Sequence, residues 1–126
     1  CGDSMKKTLK LFYAMIALFM FDRLSKLWAL GLQGEWAIHK NLSCALVFNR
    51  GINWGLFNCA SSWVFIGLTI AIATVMVLLG SMALAAHKQH KPIVGYTLIL
   101  TGAFSNFLDR IFYGGVIDFI VVWCGN

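Results

Sequence analysis

Polar residues interrupt this chain only at intervals, and the apolar stretches between them have the lengths of membrane helices. The first run covers about residues 8–32, TLKLFYAMIALFMFDRLSKLWALGL, behind a basic front of Lys6, Lys7 and Lys10. Its length, the three charged residues in its interior and the lack of a small-x-small cleavage site separate it from a secretory signal peptide. It predicts a retained first span. The second run, residues 63–86, has 24 residues and no charge. At about 1.5 Å per residue it crosses a hydrocarbon core of about 30 Å with some tilt. A polar turn, HKQHKP at 87–92, places Pro92 at a plausible first helical position. The third run covers 93–112, and after Gly114 and Gly115 an apolar piece, VIDFIVVWC, is too short to span.

Composition agrees with lipid as the solvent. Of 126 residues, 60% are hydrophobic and 12% charged, with a mean hydropathy of +0.77. A soluble domain is nearer half apolar and a quarter charged, and so little charge would leave large apolar patches in water. The length suits one domain, and the single proline suits a mostly helical chain. The net charge of +5 does not point to nucleic acid, because the cations fall at the ends of apolar runs rather than in a patch with interleaved aromatics. They orient the chain instead. Lys6, Lys7 and Lys10 flank the first run, and Lys88 and Lys91 lie between the second and third. If each run crosses once, both groups share a side, and the positive-inside rule makes it cytoplasmic. Lys40 and Arg50 on the other side are outnumbered. Loop 33–62, Asp109 and Asp118 then face outward.

That loop contains an apolar segment, 44–50, with β-branched and aromatic members, followed by Gly51 and Gly55. It predicts a short extended or hairpin segment on the membrane surface. The four cysteines, Cys1, Cys44, Cys59 and Cys124, form no CxxC pair, so no zinc site is expected. Cys44 and Cys59 share the loop, which leaves a disulfide open beside free thiols. Residues 1–4 precede Met5 and read as a remnant ahead of the natural start.

Charged groups in a membrane cost about 2.5–3.5 kcal/mol each on insertion scales, so they are paired and often mark function. Asp22 and Lys26 are four apart on one helix face. They read equally as an interhelical ion pair and as part of a site. In the third run Gly102, Asn106, Asp109 and Arg110 follow helical spacing. Gly102 on this face lets another helix approach closely, and Arg110 beside Asp109 holds that carboxylate ionised. Asp118 follows the Gly-Gly break, lies between Ile117 and Phe119, and has no adjacent cation. A carboxyl at a dry boundary can act as acid or base, and two that share a proton can activate water against a peptide carbonyl. Asp109 and Asp118 form the obvious local pair, which periodicity alone does not decide.

Three motifs carry a resemblance to a known family. DRLSK at 22–26 is similar to Asp-x-x-(Ser/Thr)-Lys, and NRGINWGLF at 49–57 to Asn-x-Gly-x-x-(Phe/Trp)-Gly. GAFSNFLDRIFYGGVIDF at 102–119 is similar to Gly-Ala-x-x-Asn-x-x-Asp-Arg followed by Gly-x-Val-x-Asp-Phe. Together, in this order, they resemble lipoprotein signal peptidase (signal peptidase II), a bacterial inner-membrane aspartyl protease. The resemblance implies an all-α membrane protein, a transmembrane helical bundle with four helices. Three are present here, with a small extracytoplasmic β-cradle in 33–62 and the start of the fourth-helix region at 115–126. It implies cleavage of prolipoproteins before the lipid-modified cysteine, next to membrane lipid and near the extracytoplasmic face, by a monomer with no metal or cofactor. By position, Asp118 matches a catalytic aspartate. Asp22, Lys26, Asn49, Gly51, Gly55, Asn106, Asp109 and Arg110 match residues that line or brace the pocket, against the local Asp109–Asp118 pair. Ser105 replaces a commoner glycine, a small-for-small change expected to be harmless. The family's second catalytic aspartate, in Phe-Asn-x-Ala-Asp, falls past Asn126, so the chain reads as truncated. The reading from another class is a non-catalytic transport or assembly subunit that uses Asp22, Lys26, Asp109 and Arg110 as interhelical pairs.

Overall fold

The computed structural model describes residues 2–51 and 62–122. Helix α1 spans Gly2–Leu30, strands β1 and β2 span Trp36–His39 and Leu42–Asn49, helices α2 and α3 span Ser62–Lys88 and Val94–Tyr113, and strand β3 spans Val116–Val122. Loop 33–62 therefore contributes a hairpin, as its β-branched and aromatic content predicts, while Gly55 and Cys59 lie outside the described residues. Among the described residues Cys44 has no disulfide partner and is half-buried, so the Cys44–Cys59 alternative lies outside the described residues.

Two expectations are corrected. Residues 116–122, expected to lead into a further helix, form β3 instead. Gly114 explains the switch: it closes α3 in the left-handed conformation, φ 69°, which a residue without Cβ adopts at no steric cost. The alternating, β-branched sequence VIDFIVV then suits a strand paired on one face. Gly102, expected at a close helix contact, is exposed, and nothing lies within 4 Å of where its Cβ would be. The expectation of three spans holds in coarser form. There are three long helices, but among the described residues only α2 is both long and apolar enough to cross a membrane by length and composition. α1 and α3 carry charge inside their apolar runs. No residue of α2 is buried, so its apolar side chains face outward as they do towards lipid.

The sheet is antiparallel in the order β1-β2-β3. Between the pairs Cys44↔Ile120 and Val47↔Asp118, Ala45 and Leu46 stand opposite Phe119 alone. This bulge re-aims β2 and brings Asn49 diagonally across from Asp118. α1 lies parallel to α3, as the contacts Phe19–Phe104, Asp22–Ser105 and Lys26–Asn106 show. Lys6, Lys7 and Lys10 in the first turns of α1 and Lys88 and Lys91 at the α2–α3 junction therefore share one end of the bundle, and the sheet lies at the other. Trp28 of α1 meets Phe119 edge-on, with ring centroids 6.1 Å apart, and Phe48 stacks on Tyr113 at 6.5 Å. Few apolar side chains are enclosed: among the described residues Ala29, Val116 and Ile117 form the buried apolar core.

Candidate active site

The charged residues of the apolar runs converge where α1, α3 and β3 meet. Asp109 is fully buried. Its Oδ1 lies 2.6 Å from Arg23 Nη2 and its Oδ2 lies 2.7 Å from Lys26 Nζ. Oδ2 also accepts the Ile117 backbone N–H at 3.3 Å. Lys26, only 4% exposed, reaches Asp22 Oδ2 at 3.0 Å and donates to Asn106 Oδ1 at 2.7 Å. Asp22 also takes an ion pair from Arg23 at 3.3 Å and a hydrogen bond from the buried Ser105 hydroxyl. Two carboxylates face two cations, which compensates the desolvation of each.

Arg110 acts on Asp109 only through longer-range charge attraction and makes no direct ion pair with it, so the adjacent-pair expectation holds only in that weaker form. Adjacent residues on a helix point about 100° apart, since a turn takes 3.6 residues. The guanidinium instead donates to the backbone carbonyl of Gly51 at 3.1 Å and to that of Asn106 at 3.3 Å. Gly51 in turn donates its N–H to Asn49 Oδ1 at 2.9 Å, an Asx-type contact. Asn49 Nδ2 donates to Asp118 Oδ2 at 3.1 Å. Asp109 and Arg110 thus reach Asp118 by two routes, one through the Ile117 backbone and the other through Gly51 and Asn49. The Asn-x-Gly spacing has a physical reason here. The buried Gly51 orients the asparagine amide, and Gly115 admits the close passage of the Asn49 carbonyl, which a Cβ there would meet at 3.3 Å.

Asp118 itself forms no ion pair among the described residues and is half-buried. It shares a sheet face with Ile120 and Val122, and the register carries that face across Cys44 to Trp36. Trp36, Ile120 and Val122 are about three-fifths exposed. An unpaired carboxyl therefore stands at the end of an open apolar strip.

Of the residues expected at the site, Asp22, Lys26, Asn49, Gly51, Asn106, Asp109, Arg110 and Asp118 fall in this one connected network, and Gly55 lies outside the described residues. The sequence reading missed Arg23 and Ser105. The available signal was charge: a third charged residue in an apolar run needs a partner as much as Asp22 and Lys26 do. Ser105 is not a neutral replacement, because its hydroxyl is spent on Asp22. Ser105→Ala is expected to lower stability by about 0.6–1.7 kcal/mol, the range of hydrogen bonds between membrane helices, read from unfolding in mixed micelles. An unchanged unfolding midpoint would mean that the hydroxyl adds nothing to Asp22.

The fold and this cluster define a helical membrane protein whose buried ion network underlies, at its sheet end, the carboxyl of Asp118, which has no ion pair among the described residues. Residues 14–126 match the family described as signal peptidase (SPase) II. The lipoprotein signal peptidase of Pelagibacter ubique is 35% identical over 124 residues, covering 91% of this chain and 74% of that protein. That of Caulobacter vibrioides is 36% identical over 121 residues, covering 87% and 68%. A solved bacterial membrane enzyme superposes with a TM-score of 0.65 at 17% identity, over 90% of this chain and 70% of that one, a likeness of fold. The chain belongs to the signal peptidase II family of lipoprotein signal peptidases.

Proposed function

We propose that this chain acts as a prolipoprotein signal peptidase, cutting the peptide bond before the diacylglyceryl-modified cysteine, with Asp118 as one of two carboxyls that share a proton and activate the attacking water. The observation that carries the reading is the contrast among the carboxylates. Asp22 and Asp109 are each contacted by Arg23 and Lys26, whereas among the described residues Asp118 forms no ion pair: it accepts from the Asn49 amide and feels the charge of Arg110 only at longer range. A carboxylate neutralised by two contacting cations is a poor base, and one with no cation in contact can exchange a proton with water or substrate. Asn49 donates to Oδ2 and helps to orient the group. The dyad requires a second carboxyl. Asp109, neutralised by Arg23 and Lys26, does not supply it.

In this reading all three helices cross the bilayer, with the basic end cytoplasmic and the sheet at the outer boundary of a bacterial inner membrane. Trp36, Ile120 and Val122 then lie at lipid level beside Asp118. That placement suits a monomeric enzyme whose substrate keeps its diacylglyceryl group in the bilayer while the peptide reaches the carboxyl. The test is cleavage, in membranes holding the protein as its gene encodes it, of a prolipoprotein with and without the diacylglyceryl group. Cleavage of the modified form only is expected. Equal cleavage of both would remove the lipid from the recognition, and cleavage of neither would overturn the assignment.

A further inference from the structure

We infer that Arg23, at an unspecified position within the DRLSK motif, is a positioning residue that keeps the backbone carrying Asp118 in place through Asp109. The inference rests, for its effect on the reaction, on the function proposed above; its structural part does not.

The argument starts from the supply of cations. Lys26 Nζ already serves three acceptors: Asp22 Oδ2, Asp109 Oδ2 and Asn106 Oδ1. An ammonium has three donors, so it has none left for Asp109 Oδ1. Arg23 Nη2 fills that place at 2.6 Å, the shortest of the cation contacts to either carboxylate. With Arg23 the two carboxylates face two cations. Without it they share one cation in direct contact, with Arg110 acting only at longer range, and the side chain that suffers most is Asp109, which has no exposure to water. Asp109 in turn accepts the N–H of Ile117, one residue before Asp118. That bond joins β3 to α3 by a side chain. A carboxylate with Oδ1 unpaired in a dry site turns towards Lys26 and loosens its hold on Ile117. The open strip and Asn49 are untouched by this change, so substrate binding should survive while the aim of Asp118 suffers.

Arg23 reaches both Asp22 and Asp109 through the single nitrogen Nη2. A lysine ammonium can therefore stand in for it, even though the two side chains differ at bidentate sites. This makes Arg23→Lys the rescue variant and Arg23→Gln the loss variant.

The experiment pairs two readouts on the full protein in lipid nanodiscs. Amide hydrogen exchange over residues 115–118 tests the positioning without reference to activity. It should quicken in Arg23→Gln, return towards wild type in Arg23→Lys, and stay unchanged over α2 in both. Cleavage of a diacylglyceryl prolipoprotein peptide should show kcat about tenfold lower in Arg23→Gln, a step that corresponds to 1.4 kcal/mol, with KM unchanged and most of kcat recovered in Arg23→Lys. Wild-type exchange over 115–118 in Arg23→Gln overturns the positioning. Faster exchange with unchanged kcat, or a rise in KM alone, overturns the link to the reaction. If the wild type itself cuts nothing, the proposed function fails, and the exchange result still decides the structural part.

Discussion

Asp118→Asn is expected to slow prolipoprotein cleavage by about 10²–10⁴-fold, the range that a positioned acid–base group contributes, while the protein stays folded. The substitution preserves shape and an amide oxygen that can still accept from Asn49 Nδ2. It removes only the capacity to take and return a proton at the reacting water. No ion pair is lost, because Asp118 has none among the described residues. The assay is single-turnover cleavage of a lipid-modified prolipoprotein, beside unfolding in the same lipid mixture. Full activity in this variant would transfer the chemistry to another group and leave Asp118 as a strand residue.

Asp109→Asn should have the opposite profile, with stability falling first. It leaves Arg23 and Lys26 with Asp22 as their only carboxylate, in a place where Asp109 has no access to water. Removal of one partner from a buried ion network costs about 3–5 kcal/mol, because an uncompensated charge stays behind. The Ile117 N–H also exchanges a charged acceptor for a neutral one. Denaturant unfolding in micelles would show the loss, and cleavage would fall in parallel as Asp118 loses its support. Near-wild-type stability would mean that the cluster relaxes around water, contrary to its buried geometry. The two variants separate the roles of two aspartates that look alike in sequence.

Much of the cluster was legible from residue type and spacing, for reasons that hold locally. A charge in an apolar run must be compensated wherever the chain goes, so Asp22, Lys26, Asp109 and Arg110 announced themselves. The Gly-Gly break before Asp118 marked a change of backbone, and Gly114 makes that change at φ 69°. What failed was partner choice. Adjacency suggested Arg110 for Asp109, but the helix turns the two apart. The cations in contact, Arg23 and Lys26, come from α1, Arg23 being 86 residues away. Ser105 passed as an inert small residue because its value depends on Asp22, 83 residues distant. The apolar piece after Gly115 carries β-branched residues that fit a strand, yet the strand forms only because β2 offers it an edge.

The sequence by itself determined the solvent, the number and order of long helices among the described residues, the end at which the cations gather and the family, since each follows from composition, run length or spacing along one dimension. Only the tertiary structure decided which carboxylate is neutralised and which stays free. Ion pairs and hydrogen bonds act over about 3 Å, and which groups come that close is set by the parallel packing of α1 on α3 and by the bulge that aims Asn49 at Asp118.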